Sequence, residues 1–434
     1  MSIHKFKFVY FLLAYGFVYS PPAISELLPE PLTLEVALAL IGQQHPNLRY
    51  ANAEVKSAQS QLLGAQSSND LSVSLSASVG WLEPSKFALN KENEDHRLGL
   101  IAKKTLYDFG RFSSKVDSAT HQLESNEQYY INAQQQHYIN VMKRYFDVVL
   151  ADLQYYRYNE EMAVAYIQFD RMQNRQRLGQ FTEIDVAEKE AEYQRVRRLR
   201  THSQNQQRIT RSLLAQALNK PNDLPATVSR PKLDVLKRNL PEIEKIHNEI
   251  KNNNPILRAL RAELESAKQN LRYAQSSDSP MLTAGFEAYD YTRVTNSSDK
   301  WRANVQLDVP LWAGDKVDAD VASAKAVTYK IEAKISQQEF MLYQKALELV
   351  MEIETLKTQQ AETLAAMNFT ELSLDQSRAL YELEVQTDLG YSMVKFSEAE
   401  REVVKTDFSI ALAWAELDAL TGNLLTKKIN NAVN

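Results

Sequence analysis

Two very long segments of the chain have the apolar periodicity of α-helices. Residues 111–178 and residues 315–389 contain neither glycine nor proline, and apolar side chains recur in both at spacings of three and four residues. The stripes run through Tyr138, Met142, Tyr145, Val149 and Leu153 in the first segment, and Leu342, Ala346, Leu349, Ile353 and Leu356 in the second. Helices of this length rise through roughly 100 Å. The pattern therefore predicts coiled coils or a helical tube, because ordinary globular helices are far shorter.

Each long segment follows two segments in which apolar and polar residues alternate, which is the pattern of β-strands. We predict strands at residues 70–82 and 96–107, and again at 281–292 and 300–311. In the second of these strands Leu98, Leu100, Ala102 and Leu106 share a face, which Lys104 interrupts. Strands of about ten residues with one apolar face are long enough to cross a bilayer at a tilt. Four strands alone would leave unpaired edges in lipid, so a barrel requires further copies of the chain, and a trimer would supply twelve strands.

The chain consists of two similar halves. Aligning Pro46 with Pro255 also aligns Ala65-Gln66-Ser67-Ser68 with Ala274-Gln275-Ser276-Ser277. We predict a first repeat at residues 32–218 and a second at 242–422, each with a helix, two strands, a long helix and a return helix. The long helices are expected at 111–178 and 315–384, the return helices at 183–217 and 388–421, a proline-rich linker at 219–241, and a polar tail at 423–434.

Composition narrows the classes of function. The formal net charge is -5, which argues against a nucleic-acid partner, and the chain has no cysteine for disulfides or thiolate chemistry. Lys5 and Lys7 precede a short apolar run, which predicts a secretory signal peptide at residues 1–25, with a buried N-terminal segment as the alternative. No later segment has the roughly 18 uninterrupted apolar residues of a transmembrane helix.

Aromatic residues cluster at the ends of the predicted strands, as the interfacial girdles of membrane barrels do. They are Trp81, Tyr289, Tyr291, Trp301 and Trp312. The alternative is a pair of β-hairpins that pad a soluble helical domain, since aromatic residues are common in any strand.

Three local motifs accompany the doubled plan. They are Leu106-Tyr107-Asp108-Phe109-Gly110-Arg111, Val309-Pro310-Leu311-Trp312-Ala313-Gly314, and the turn from Gly179 to Asp185-Val186. Together with the doubled plan, these motifs resemble the TolC family of outer-membrane channel proteins. The resemblance covers about residues 32–424. It implies a homotrimer with a twelve-stranded β-barrel, four strands per protomer, in the outer membrane of a Gram-negative cell. That barrel continues into a long periplasmic α-helical coiled-coil barrel, around which the linker and the tail form an equatorial belt.

The resemblance also implies a function and partners. Members of this family are passive, gated exit ducts of tripartite efflux pumps or type I secretion systems. They join a periplasmic adaptor, also called a membrane fusion protein, and an inner-membrane RND or ABC transporter. One sequence does not separate drugs, metals and secreted proteins as cargo.

In that family the helix-helix turns form a periplasmic tip that is closed at rest. By position, Asp185 matches an aperture acid and Tyr381 matches a gate-tightening tyrosine. The second-repeat aperture acids of the family are missing here: their positions fall on Gly390 and Met393, and the basic position falls on Gln386. The candidate aperture acids are Glu183, Asp185 and Asp388, and the candidate turn residues are Gly179, Thr182, Thr387 and Gly390. The alternative for each acid is a helix-start carboxylate stabilised by the helix dipole.

Catalytic chemistry has little support in the sequence. There is no nucleophile motif, phosphate loop or zinc signature, and the i, i+3 pair His121 and Glu124 is more typical of a solvated helix face than of a metal site. We therefore expect no enzyme activity, no cofactor and no metal. The serious alternative is a periplasmic coiled-coil adaptor or scaffold without a pore, but adaptors have one helical hairpin whereas this chain has two.

Overall fold

The computed structural model describes residues 28–42, 44–295, 298–312, 314–383 and 389–425. Four predicted features lie outside these ranges: the signal peptide, the tail beyond residue 425, the basic tip position Gln386, and the tip residues Thr387 and Asp388.

The described residues form eight α-helices and one four-stranded sheet, so the predicted mainly helical fold class with a small sheet is confirmed. In chain order the elements are α1 (Leu34–Ala39), α2 (Pro46–Ser67), β1 (Ser72–Ser78), β2 (Arg97–Tyr107), α3 (Arg111–Arg177), α4 (Glu183–Ala217), α5 (Ile243–Asn253), α6 (Pro255–Gln275), β3 (Met281–Tyr291), β4 (Trp301–Asp308), α7 (Lys316–Glu382) and α8 (Leu389–Leu420). A short 3₁₀ turn, Asp234–Lys237, lies between α4 and α5.

The two long helices, α3 and α7, each contain 67 residues. Their predicted stripes are buried near mid-length, where Tyr145 and Phe146 of α3 are at most 1% exposed and Ile353 of α7 is fully covered. The rings of Phe146 and Phe408, from α8, stack with their centroids 4.1 Å apart. The Tyr145 hydroxyl lies 2.9 Å from the Leu32 carbonyl oxygen and 2.7 Å from that of Ser229. This core therefore ties the N-terminal segment and the linker to the long helices.

The helices form a layer with two free edges. Near the sheet, α3 packs against α2 and α6, and α6 packs against α7; towards the other end, α3 packs against α4 and α8, and α8 packs against α7. Since the main helical neighbour of both α2 and α4 is α3, these two helices form one edge of the layer and α7 forms the other. Among the described helices, none is both long and apolar enough to span a membrane.

The sheet joins the two halves of the chain. Its order is β1-β2-β3-β4 with every neighbour antiparallel, so the central β2-β3 pair connects the halves. Two strands are shorter than predicted. β1 ends at Ser78, opposite Arg97, the first residue of β2. β4 ends at Asp308, shortly before Pro310, which has no N–H to donate to a ladder.

Candidate functional site: the faces of the sheet and the helix tip

One face of the sheet is apolar and open. Residues directly opposite each other in neighbouring strands point to the same face, so the observed register defines its members. Its apolar members are Val73, Leu75, Ala77, Leu98, Leu100, Ala102, Leu282, Ala284, Phe286, Ala288, Trp301, Ala303, Val305 and Leu307. The register also places Asp290 on this face, opposite Leu98 at the end remote from the helices. Leu75 is 70% exposed and Val305 is 66% exposed. A continuous apolar surface of this kind marks contact with lipid or with another protein.

The interruption of this face by Lys104 has a structural explanation. Lys104 lies opposite Ala284, within the apolar face, but its Nζ donates a hydrogen bond to the Asn69 carbonyl oxygen at the helical end of the sheet. Its aliphatic stem therefore covers apolar surface while the charge leaves it. The register between β2 and β3 shifts between Thr105 and Tyr107, so Tyr107 lies opposite Leu282 and the predicted face residue Leu106 has no opposite residue in β3.

The other face of the sheet is polar. It carries the serines of β1 together with Arg97, Lys103, Glu287 and Asn304. The Tyr289 ring lies over Gly99, where any Cβ atom would overlap the ring. The Tyr289 hydroxyl donates to Glu287 Oε2 at 3.1 Å, and the Arg97 guanidinium lies 5.4 Å from the ring centroid.

The predicted rim aromatics therefore separate into different groups. Tyr289 and Tyr291 belong to the polar face, opposite Gly99 and Arg97 respectively, whereas Trp301 begins β4 on the apolar face. Trp81 follows β1, bridges to Glu94 and is 72% exposed. By the chain direction of their strands, Trp81 and Trp301 lie at the end of the sheet remote from the helices, and the exposed Trp312 lies at the helical end.

The turn between α3 and α4 is defined by local hydrogen bonds. Gly179 has a φ of +72°, and Thr182 caps α4 by accepting a hydrogen bond from the Asp185 N–H at 3.3 Å. Asp185 Oδ2 in return accepts from the Thr182 N–H at 2.8 Å and from its hydroxyl at 2.7 Å. These bonds hold the pKa of Asp185 below its usual 3.8. The carboxylate is thus a capping residue with its charge retained, and Glu183 next to it is exposed.

The end of α7 and the start of α8 pack against α3 around a cavity of about 380 Å³. Its lining includes Tyr381 together with Gly390 and Met393, the positions that correspond to the second pair of aperture acids. A Cβ atom on Gly390 would lie 2.6 Å from Val164 Cγ2, so α8 approaches α3 closely at this point. Asp185 and Glu183 are not among the lining residues. The structure therefore brings together part of the predicted gate set and places its first-repeat acids elsewhere.

A charged cluster above this cavity was not predicted from the sequence. Arg157 lies 3.6 Å from Glu161 on the same helix and 3.5 Å from Glu398 on α8, and Arg195 of α4 reaches Glu161 at 3.6 Å. The i, i+4 spacing of Arg157 and Glu161 is the only part of the cluster that sequence could indicate. The whole cluster of four charged side chains links the three helices α4, α3 and α8.

Within the described ranges, no group of three or more His, Cys, Asp or Glu side chains is arranged so that it could hold a metal ion. The pair His121 and Glu124 makes a single contact of 2.8 Å between Nδ1 and Oε2 on the surface of α3.

Comparison with known proteins gives the class. The sequence model described as "Outer membrane efflux protein" matches residues 37–220. Among curated proteins, none matches this sequence. Solved structures that share the fold include the following three. VceC from Vibrio cholerae has 18% identity and a TM-score of 0.71, over 90% of this chain and 96% of that one. The CmeC channel of Campylobacter jejuni has 15% identity and a TM-score of 0.74, over 92% and 88%. The open-state MtrE channel of Neisseria gonorrhoeae has 17% identity and a TM-score of 0.70, over 90% and 89%.

The fold is that of outer-membrane channels, and the predicted resemblance to the TolC family is confirmed. Within the chain, residues 37–220 match the sequence model of the outer membrane efflux protein family.

Proposed function

We propose that this chain forms the outer-membrane exit duct of a tripartite efflux pump or a type I secretion system. In this assignment three copies build one channel, with the sheet in the outer membrane of a Gram-negative cell and the long helices in the periplasm. The helix tip meets a periplasmic adaptor and an inner-membrane RND or ABC transporter. Substrates pass through passively, and the duct itself is not an enzyme.

The observation that carries this proposal is the open, two-edged sheet. β1 and β4 each have only one neighbouring strand, and the face they share with β2 and β3 is apolar and exposed. In hydrocarbon every unpaired N–H and C=O group costs several kcal/mol, so such a sheet is stable in lipid only when its edges are joined. Joining β4 of one copy to β1 of the next satisfies both edges. Three copies of four strands give a closed barrel of twelve, an even number within the range known for outer-membrane barrels.

Like the sheet, the layer of helices has two edges that lack a neighbour within the protomer. Its free edges, α2 and α4 on one side and α7 on the other, meet when the copies are arranged around the barrel axis. CmeC and MtrE are described as outer membrane channels, and MtrE as being in an open state. We assign the gate of this chain to the tip, with Tyr381 and Gly390 at the constriction and Asp185 and Glu183 as exposed charges near its entrance.

The test is fractionation followed by conductance. The mature protein is expressed in a Gram-negative host, outer membranes are washed with urea, and the detergent extract is run unboiled on a gel before incorporation into planar bilayers. We expect a detergent-extracted trimer with small conductance that increases when Tyr381→Ala removes the ring from the cavity at the tip. Tyr156→Ala, the same truncation at an exposed tyrosine of α3, is the control.

Recovery as a soluble periplasmic monomer without conductance would overturn the duct and favour the scaffold without a pore. A trimer that conducts equally with and without the Tyr381 change would retain the duct and remove Tyr381 from the gate.

A further inference from the structure

The outer part of α4 is strongly basic. Residues 193–212 contain six arginines and one histidine but no aspartate or glutamate. The arginines are Arg195, Arg197, Arg198, Arg200, Arg208 and Arg211. A run of one sign over nearly six helical turns is unusual in a chain whose net charge is negative.

Only some of these arginines are used within the protomer. Arg211 pairs with Asp152 of α3 at 2.7 Å, and Arg200 donates to the Tyr155 hydroxyl at 2.7 Å. The buried Val196 and Ser203 show which face of α4 meets α3. Arg198, His202 and Arg208 lie about half a turn away from that face and are exposed.

The opposite edge of the helical layer is acidic. Residues 348–375 of α7 contain six carboxylates against one lysine. The acids are Glu348, Glu352, Glu354, Glu362, Glu371 and Asp375. The lysine, Lys357, donates to the Arg238 carbonyl oxygen at 2.6 Å and so points into the protomer. Glu352, Glu362 and Glu371 are exposed. In the part of the chain that the structure describes, these three acids form no ion pair, and neither do Arg198 and Arg208.

The two charged segments lie at the same height along the layer. Contacts of Arg195 with Glu161 and of Arg211 with Asp152 fix the basic segment of α4 beside the middle of α3. The same region of α3 meets α8 where Ser397 donates to Glu160 at 2.6 Å and where Phe146 stacks on Phe408.

The contacts of α7 with α8 show which residues of α7 lie at the height of the middle of α3. Gln360 of α7 donates to Asp407 at 2.6 Å, one residue before the stacked Phe408, and Ser377 lies 2.7 Å from Ser392. The middle of α3 is therefore level with about residues 360–372 of α7. The basic segment of α4 and the part of the acidic segment from about residue 360 onwards thus occupy opposite edges of one protomer at the same level.

We propose that the basic segment of α4 docks on the acidic segment of α7 from a neighbouring copy of this chain, forming an electrostatic seam between protomers. This inference rests on the proposed trimer, and it identifies residues that orient the three copies relative to one another. Because each copy offers one basic and one acidic edge, the contact is head-to-tail and closes into a ring. Separate exposed ion pairs contribute little to stability, so the seam acts mainly by orienting the copies and by excluding a contact between two like edges.

Charge reversal on each side of the seam tests it. Variant A is Arg208→Glu, variant B is Glu362→Arg, and variant AB carries both changes. The readout is the trimer fraction in detergent by analytical ultracentrifugation and unboiled gel. We expect A and B each to lower that fraction roughly tenfold or more, since like charges then face each other, and AB to recover most of it.

The matched control is a reversal of an exposed arginine of α6, Arg258→Glu, which changes net charge as variant A does. It is expected to leave the trimer fraction unchanged. Recovery in AB distinguishes lost docking from lost folding, because a chain that A prevents from folding would not be restored by B.

Parent-like trimers in both A and B, or an AB variant no better than A, would overturn the seam and leave the trimeric duct standing. A parent protein that forms no trimer would instead overturn the proposed function on which the seam rests.

Discussion

The imidazole rings of His45 and His137 lie with their centroids 4.1 Å apart. His45 caps α2, where its Nδ1 accepts a hydrogen bond from the Asn47 N–H at 3.3 Å, and His137 is a buried residue of α3. Backbone groups of Gln216 and Ala217, at the end of α4, act on His45 and His137 respectively and partly offset the lowering of their pKa values by burial. The second half of the chain builds the equivalent junction with Asn254, whose side chain caps α6 and donates to the Leu420 carbonyl oxygen at 2.9 Å.

This pair predicts acid sensitivity. Burial, followed by the neighbouring His45, lowers the pKa of His137 from 6.5 to about 4. The unfolded chain therefore binds the proton more readily, so stability is complete above pH 6.5 and decreases as the pH falls from about 6.5 to about 4. The free energy lost is at most about 3 kcal/mol. Thermal unfolding in detergent followed by circular dichroism at pH 7 and pH 4.5 measures it. His137→Gln is expected to lower stability at pH 7 and to reduce its pH dependence.

The control is His202→Gln, because His202 is an exposed residue of α4. It is expected to keep the pH dependence of the parent protein. If His137→Gln and the parent lose the same stability between pH 7 and pH 4.5, the buried histidine is not responsible.

The close approach of Gly390 to Val164 predicts a change at the tip. Gly390→Ala places a methyl group 2.6 Å from Val164 Cγ2, so the start of α8 is expected to move away from α3. Overpacking of this kind costs about 1–3 kcal/mol. In planar bilayers we expect a higher conductance than in the parent channel. Adding Val164→Ala is expected to return the conductance towards the parent value, and a double variant that stays as open as Gly390→Ala alone would contradict the packing explanation.

The Tyr289 ring over Gly99 predicts a sensitive position on the polar face of the sheet. Gly99→Ala is expected to displace the ring, because a Cβ atom there overlaps it. The yield of folded protein in outer-membrane fractions should fall, and Tyr289→Ser in the same chain should recover part of it. Gly64→Ala is the matched control, since nothing lies within 4 Å of its Cβ position in α2. That substitution is expected to stabilise the protein by about 0.5–1 kcal/mol.

The Tyr145 hydroxyl predicts a stability loss at the core. Tyr145→Phe removes the hydrogen bonds to Leu32 and Ser229 and leaves a buried carbonyl oxygen with one partner fewer. The expected cost is about 1–3 kcal/mol in the free energy of unfolding, measured by urea denaturation. Tyr156→Phe, at a side chain that is 61% exposed, should change it by less than about 0.5 kcal/mol. Equal effects of the two substitutions would exclude a special role for the Tyr145 hydroxyl.

Periodicity alone indicated the long helices and the side chains they bury. α3 and α7 begin and end within two residues of the predicted bounds 111–178 and 315–384, because each predicted segment is free of glycine and proline. The capping of α4 could also be predicted from the sequence, because Thr182 precedes the predicted helix and Asp185 stands three residues after Thr182.

Contacts between residues that are far apart in the chain could not be predicted from the sequence. The register shift between Thr105 and Tyr107 exists only against β3, and the face of Tyr289 depends on its pairing with Gly99. Likewise, Glu398 lies on α8, far along the chain from Arg157. No local pattern distinguishes such contacts, because their cause is the packing of elements from different halves.

Because β2 pairs with β3, the sheet can form only after most of the chain has been synthesised. β2 ends at Tyr107 and its second partner begins at Met281, so the ribosome completes one hairpin long before the residues that flank it exist. A lone two-stranded hairpin is marginal in water, and its apolar side attracts other chains. Sheet formation through such sequence-distant contacts is slow. Sheet assembly is therefore expected to be post-translational, with an aggregation-prone intermediate that chaperones shield until the second hairpin is available.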